Sequence, residues 1–151
     1  MHRFPDELGA PDLALGGFQL WVHGPWTLGA DPYDDWLRVT AHCGGEGASV
    51  WASGEILRRS ELARWLDEVA MLYQTLAGTA RLDPIEPNLC AELTPAGRAG
   101  HLRMRVEITP NAATQRHRFE FELDQSFLPV FLESGNQLLS RIAVDGAPPP
   151  A

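Results

Sequence analysis

The residues that most often carry chemistry are five histidines and two cysteines, and their spacing matches no familiar catalytic or metal-binding pattern. The sequence contains no His-Glu-x-x-His or Cys-x-x-Cys motif, which argues against a zinc site. His42 and Cys43 are neighbours, but adjacent residues of a strand point to opposite faces and do not readily share a metal or form a nucleophile–base pair. We therefore predict no catalytic residue, no metal site and no cofactor.

A second group with chemical potential is the acidic cluster Asp31, Asp34 and Asp35, which precedes a predicted strand. Calcium sites need several oxygen ligands, and no further carboxylate lies at a matching spacing, so a solvated turn is the favoured interpretation. The glycine-rich segment at residues 44–47 lacks the lysine and the strand-to-helix context of a phosphate-binding loop. Neither segment predicts an enzyme.

The tryptophans are the unusual feature, because Trp21, Trp36 and Trp51 lie on three different predicted strands and alternate with apolar positions. If the apolar positions face the core, all three indoles face outward, beside charged residues of the same sheet face. Aromatic and arginine side chains are enriched at protein interfaces. The predicted partner-binding residues are Trp21, Trp36, Trp51, Arg38, Glu120 and Glu122. The alternative is structural, with the indoles covered by arginine side chains or by the chain ends.

The elements that must position these residues follow from hydrophobic periodicity. Period-two alternation predicts strands around residues 18–22, 37–41, 50–54, 89–93, 102–108 and 119–123. A helical stripe at residues 62–76 predicts the first helix, with Ser60 as its N-cap, and residues 127–139 predict a second. We therefore predict an α+β fold in which one antiparallel six-stranded sheet carries two helices on one face, in the order βββα-βββα.

A length of 151 residues predicts one folded domain, which we assign to residues 13–142. Residues 1–12 are rich in proline and acids and are predicted to be a flexible tail; residues 143–151 are predicted to be a disordered, proline-rich tail. The first residues lack the apolar stretch of a signal peptide, and no segment reaches the roughly 18 apolar residues of a membrane span. The sequence therefore predicts a cytoplasmic protein without membrane contact.

Charge restricts the class of partner. The net charge is −8, from 20 acidic residues against 12 arginines and no lysine. Phosphate backbones repel such a protein, so nucleic-acid binding is disfavoured, whereas a basic protein is attracted. The two cysteines are too few for the disulfide framework of a small secreted domain, which agrees with a reducing compartment.

Several short motifs of this chain resemble those of the WapI-type immunity proteins. The Asp-Asp-Trp-Leu-Arg-Val segment at residues 34–39 resembles that family's Asn-Trp-Leu-x-Val strand, and Asp-Gln-Ser-Phe-Leu-Pro at residues 124–129 resembles its Asp-Gln-Ser-Tyr-Leu-Pro helix start. Further similarities, in order, lie at Trp51 and at residues 61–66, 72–78 and 86–89. Two departures are Asp35 in place of asparagine and the missing Phe-Pro after Ile142.

The resemblance implies a non-enzymatic protein that binds a toxin. Founding members of that family neutralise a contact-delivered toxin that cleaves tRNA. With the acidic net charge of this chain, the expected partner is a basic toxin. One alternative is a self-associating domain that uses the tryptophan-bearing face as a homodimer interface. Another is a small-molecule-binding protein or enzyme that uses His23, His42 and Asp35.

Overall fold

The computed structural model describes residues 5–25, 35–97 and 100–146. The described elements, in chain order, are α1 (Pro5–Leu8), β1 (Leu13–Leu15), β2 (Phe18–Pro25), β3 (Trp36–Gly45), β4 (Ala48–Arg58), α2 (Arg59–Thr75), β5 (Ala80–Leu82), β6 (Leu89–Pro95), β7 (His101–Ile108), β8 (Arg118–Asp124), a 3₁₀ turn (Gln125–Phe127) and α3 (Leu128–Gly146). In this part of the chain, no helix has both the length and the apolar character needed to cross a membrane.

The strands form two four-stranded antiparallel sheets, in the orders β1-β2-β3-β4 and β5-β6-β7-β8. The prediction of one six-stranded sheet with both helices on one face is therefore wrong, although the α+β class holds. Each half of the chain pairs consecutive strands, as short connections favour, and α2 separates the two sets. The prediction missed β1 and β5 because each has only three residues, too few for alternation to be recognised.

The inner faces of both sheets and the two long helices enclose one hydrophobic core. Strands β3 and β4 of the first sheet contact β6, β7 and β8 of the second, while α2 packs on β5 and α3 packs on β1 and β2. Trp65 of α2 is fully buried, and its ring meets Phe18 of β2 at 6.3 Å and Phe131 of α3 at 5.4 Å, both edge to face. Such aromatic pairs add stabilisation beyond their buried area.

The two sheets approach closely where the β1–β2 turn meets β8. A Cβ atom on Gly17 would lie 2.6 Å from Cζ of Phe121 and would also collide with the carbonyl oxygen of Gly44. The Gly44 N–H donates to the Gly17 carbonyl at 3.1 Å. The absence of a side chain at Gly17 therefore permits both this hydrogen bond and the contact with the second sheet.

The start of α2 differs from the prediction that Ser60 caps it. The N-cap residue is Arg58, whose backbone N–H donates to Oε1 of Glu61 at 2.8 Å. The Ser60 N–H donates instead to Oδ2 of Asp35 at 2.7 Å. Because a helix start leaves backbone N–H groups without helical partners, both carboxylates satisfy a donor there. Asp35 thus ties β3 to the start of α2.

The chain ends fall partly within the described residues. Of the predicted tails, residues 1–4 and 147–151 lie outside them, and residues 143–146 continue α3. Asp12 is bonded to the fold: its Oδ2 accepts from the Val22 N–H at 2.7 Å and its Oδ1 accepts from Nη1 of Arg141 at 2.9 Å. Residues near Asp12 are therefore attached to both β2 and α3.

The contact between α2 and α3 supplies a test of the core. A Cβ atom on Gly135 of α3 would lie 2.7 Å from Cδ2 of Leu66, so the leucine fills the space that the glycine leaves. We expect Leu66→Ala to lower the free energy of unfolding by about 2–5 kcal/mol, because it opens a cavity. Adding Gly135→Ala should recover part of this loss, since the new methyl group enters the vacated space.

Urea denaturation of the purified variants measures both effects. The control is Met71→Ala on the same helix, where the side chain is 59% exposed and the expected change is within about 0.5 kcal/mol. Equal unfolding midpoints for Leu66→Ala and Met71→Ala would contradict the helix packing described.

Candidate partner-binding surface

The outer face of the first sheet carries a row of stacked rings. Trp21 of β2 is nearly buried, at 4% exposure, and stacks on Trp51 of β4 with 5.7 Å between centroids and an interplanar angle of 23°. His42 of β3 lies 4.3 Å from Trp51 on a tilted ring plane. These three side chains come from three adjacent strands, and their orientation follows from alternation with the core residues Leu20, Ala41 and Ala52. We call Trp21, Trp51 and His42 the ring cluster.

Hydrogen bonds hold the ring cluster in place. Nδ1 of His42 lies 2.9 Å from Oε1 of Gln19, and its Nε2 lies 2.7 Å from Oγ of Ser49. An imidazole that donates to the Gln19 oxygen and accepts from the Ser49 hydroxyl is neutral. Burial lowers the pKa of His42 from its ordinary value of 6.5, which favours the same neutral form. The indole Nε1 of Trp21 donates to the Gly9 carbonyl at 3.0 Å.

Beyond the ring cluster, the same face opens into a cleft of about 570 Å³ lined by His23, Arg38, Val39, Thr40, Ser53, Gly54 and Glu55. Strands β2 and β4, which pair with β3 on either side of Arg38, each have a register shift there. Their glycines Gly24 and Gly54 have φ values of 134° and 133°. Such φ values suit glycine, and bulges of this kind redirect the neighbouring side chains. Within the cleft, Nε2 of His23 lies 2.8 Å from Oγ1 of Thr40.

The three predicted tryptophans have different environments. Trp21 lies beneath the segment that contains Gly9, and Trp36 is half-buried with the Arg58 guanidinium 5.9 Å from its ring centroid. Both arrangements match the structural alternative, in which the chain end or an arginine covers the indole. Trp51 is half-buried on the open face. Trp51 is therefore the tryptophan best placed to contact a partner.

Glu120 and Glu122 lie elsewhere, on the outer face of the second sheet. Oε1 of Glu120 is 3.5 Å from Nε of Arg105, and Glu122 is opposite Arg103 in the strand register. The predicted surface assumed a single sheet, so its six residues are in fact divided between the outer faces of two sheets. Their part in binding stays a prediction.

The residues of the small-molecule alternative form separate sets of hydrogen bonds. His23 bonds to Thr40, whereas His42, two residues along β3 from Thr40, bonds to Gln19 and Ser49. Asp35 is at the start of α2, where it accepts from the Ser60 N–H. Asp31 and Asp34 of the predicted acidic turn lie outside the described residues.

The histidine, cysteine and acidic side chains are arranged as follows. Within residues 5–25, 35–97 and 100–146, no group of three or more histidine, cysteine, aspartate or glutamate side chains could hold a metal ion. Burial raises the pKa of the Cys43 thiol to about 12, and burial also raises the pKa of Cys90. Both cysteines are free thiols that stay protonated near neutral pH.

The sequence analysis did not predict that Gln19, Ser49 and His42 form one hydrogen-bonded group. Their association depends on the strand register, which the β3–β4 hairpin sets through Glu46 and Gly47, both with positive φ (49° and 88°). A two-residue turn of this type is common in hairpins. The glycine-rich segment at residues 44–47 contained the sequence signal for this turn, and a turn centred on Glu46-Gly47 pairs His42 with Trp51.

Comparison with known proteins identifies a family by sequence and a solved structure of similar fold. A model of the protein family described as "Immunity protein WapI-like family" matches residues 13–143. No curated protein matches the chain. The solved structure of the plant transcriptional regulator PBF-2 has a TM-score of 0.52 and 9% sequence identity, with 89% of this chain and 83% of that chain covered. At this identity, the likeness concerns the fold alone.

The lowered pKa of His42 predicts a pH dependence of stability. The unfolded chain takes up a proton near pH 6.5 that the folded chain takes up only at lower pH. The stability that is linked to the neutral form of His42 is therefore fully present above pH 6.5, and it falls as the pH drops from 6.5 toward the pKa of His42 in the folded chain. We expect His42→Gln to lose less stability than the wild type between pH 7.5 and pH 5, as measured by urea midpoints.

The control for this prediction is Met71→Ala, which shortens a side chain of α2 that is 59% exposed and does not titrate. Its stability should follow the pH dependence of the wild type. A wild-type and a His42→Gln profile with the same slope would show that His42 is not held in its neutral form.

Proposed function

Because this chain belongs to the WapI-like immunity protein family, we propose that it binds a basic protein toxin of the nuclease type and neutralises it without catalysis of its own. The family match carries this proposal, since it spans both sheets, α2 and most of α3. The net charge of −8 supports a basic partner. The free, protonated cysteines agree with action in the cytoplasm.

We assign the centre of the interface to the outer face of the first sheet, around Trp51. Interface energy concentrates in aromatic and arginine anchors that lie in well-packed surroundings. Trp51 meets this description, because Trp21 and His42 pack against it, and Gln19 and Ser49 hold His42. A surface that is already ordered loses little conformational entropy when it binds.

The remaining predicted residues are assigned to the periphery of the interface. Arg38 lines the cleft next to the ring cluster, and Trp36 lies farther along β3 beneath Arg58. Glu120 and Glu122 contribute negative charge from the second sheet. The Glu120–Arg105 pair is exposed to 45% on each side, and such a surface pair contributes at most about 1 kcal/mol, so Glu120 can exchange its partner at little cost.

The proposal is tested by searching the neighbourhood of this chain's gene for a basic nuclease-type toxin, co-expressing the two and measuring cell survival. Wild-type chain should protect the cells, and Trp51→Ala should weaken the purified complex at least about thirtyfold, because truncation of an interface anchor costs about 2 kcal/mol or more. The matched control is Tyr73→Ala, which removes an aromatic ring that is 39% exposed on α2.

Circular dichroism of each variant confirms that the fold is retained. Full protection and unchanged affinity for Trp51→Ala would place the interface on another surface. Failure of the wild-type chain to protect against the neighbouring toxin would contradict the immunity function itself.

A further inference from the structure

In the part of the chain that the structure describes, the second sheet ends at β8, and no further strand pairs with it there. Its principal contacts are with β7, and a smaller set joins it to β3. The other edge strands are short or covered. Strands β1 and β5 have three residues each, and helices pack against them, α3 on β1 and α2 on β5. Strand β4 contacts α2, β6 and β7. An edge strand leaves a row of backbone donors and acceptors that another strand can use.

The register shows which backbone groups of β8 face this edge. The Ile108 N–H donates to the His117 carbonyl at 3.2 Å, and the Gln125 N–H donates to the Gly100 carbonyl at 2.7 Å. In an antiparallel pair, hydrogen-bonded positions alternate, so Phe119, Phe121 and Leu123 bond to β7. The N–H and C=O groups of Arg118, Glu120 and Glu122 therefore point away from β7.

The two faces of β8 differ in chemistry. On the inner face, Phe119 and Phe121 are parallel rings 6.4 Å apart and stay half-buried, whereas Val106 and Met104 opposite them on β7 are fully buried. On the outer face, Glu120, Glu122 and Asp124 outnumber Arg118. A further strand would complete the burial of the two phenyl rings with apolar side chains and meet the carboxylates with basic ones.

A second copy of the chain fits this edge poorly. The antiparallel pairings of two β8 strands that overlap by at least five residues are centred on Glu120, Phe121 or Glu122, and in each of them a glutamate of one copy faces an acidic residue of the other. Like charges directly opposite each other are destabilising. The charge of the edge thus disfavours self-association and favours a basic segment.

We propose that β8 binds an extended basic segment of the partner as an added β strand, in which basic residues alternate with apolar ones. The inference rests on the proposed function for the source of that segment, since it states how part of the toxin is held. Basic residues face Glu120 and Glu122, and apolar residues cover Phe119 and Phe121. Backbone hydrogen bonds supply affinity, and the alternating side chains supply specificity.

The probe is a capped synthetic peptide, Lys-Val-Lys-Val-Lys-Val-Lys, added to the isotope-labelled full chain. We expect slowed hydrogen exchange at the backbone amides of Arg118, Glu120 and Glu122, with little change on the outer face of the first sheet. A peptide with glutamate in place of lysine should give no protection. Protection of other amides, or equal protection by both peptides, would overturn the proposal.

Variants of β8 separate backbone pairing from charge. Glu122→Pro removes an edge-facing N–H without breaking the β7 ladder and should weaken peptide binding about tenfold. Glu122→Gln keeps the backbone and should weaken binding about two- to fivefold, the range of an exposed charge pair. The matched control, Glu107→Gln on the interior strand β7, should bind as tightly as wild type.

Unchanged binding by both Glu122 variants would overturn the edge-strand assignment, and Glu122→Gln keeps the test valid if the proline variant does not fold. The peptide experiment involves no toxin. Its failure would therefore leave the proposed immunity function standing, whereas failure to protect cells would leave the edge-strand result standing.

Discussion

The burial of Trp65 between Phe18 and Phe131 is the contact on which the rest of the structure depends. These rings join α2 to β2 of the first sheet and to α3, and all three are nearly or fully buried. Among residues 5–25, 35–97 and 100–146, the indole N–H of Trp65 has no hydrogen-bond partner, and a buried group of this kind costs about 1–3 kcal/mol. The large apolar area of the three rings offsets this cost.

This arrangement determines which surfaces remain for a partner. The inner sheet faces and the inner sides of the helices form the core, so the outer sheet faces and the outer sides of α2 and α3 remain exposed; Met71 and Val130, for example, are 59% and 70% exposed. The two outer faces differ: the first holds the ring cluster in a network of neutral hydrogen bonds, and the second carries cross-strand charge pairs such as Arg81–Glu92 and Arg105–Glu120. The first suits an anchored contact, and the second suits charge complementarity.

Helix α2 and six of the eight strands were predictable because their periodicity is long enough to read. The buried positions Leu62, Trp65, Leu66, Val69 and Leu72 all lie on the predicted stripe. The division into two sheets was not predictable from alternation, which reports the face of each residue but not the neighbouring strand. The same limit applies to the site: alternation placed Trp21 and Trp51 on the outer face, but only pairing shows that Glu120 belongs to another sheet.

Local interactions explain the smaller errors. Serine is a residue type that often caps helices, which is why Ser60 was predicted. The backbone donors at the start of α2 are instead satisfied by Glu61 and by Asp35, which precedes Ser60 by 25 residues. Coverage of Trp21 by Gly9 and of Trp36 by Arg58 likewise depends on tertiary contacts that no short motif encodes. Residue type predicted the chemistry of these groups, and packing determined their partners.

The most direct measurement is the association rate of the purified chain with the purified toxin domain, followed by stopped-flow tryptophan fluorescence at increasing salt. A basic toxin steered by an acidic protein should form a one-to-one complex whose association slows as salt screens the charges, with a smaller change in dissociation. No complex at micromolar concentration, or an association rate independent of salt, would contradict the account.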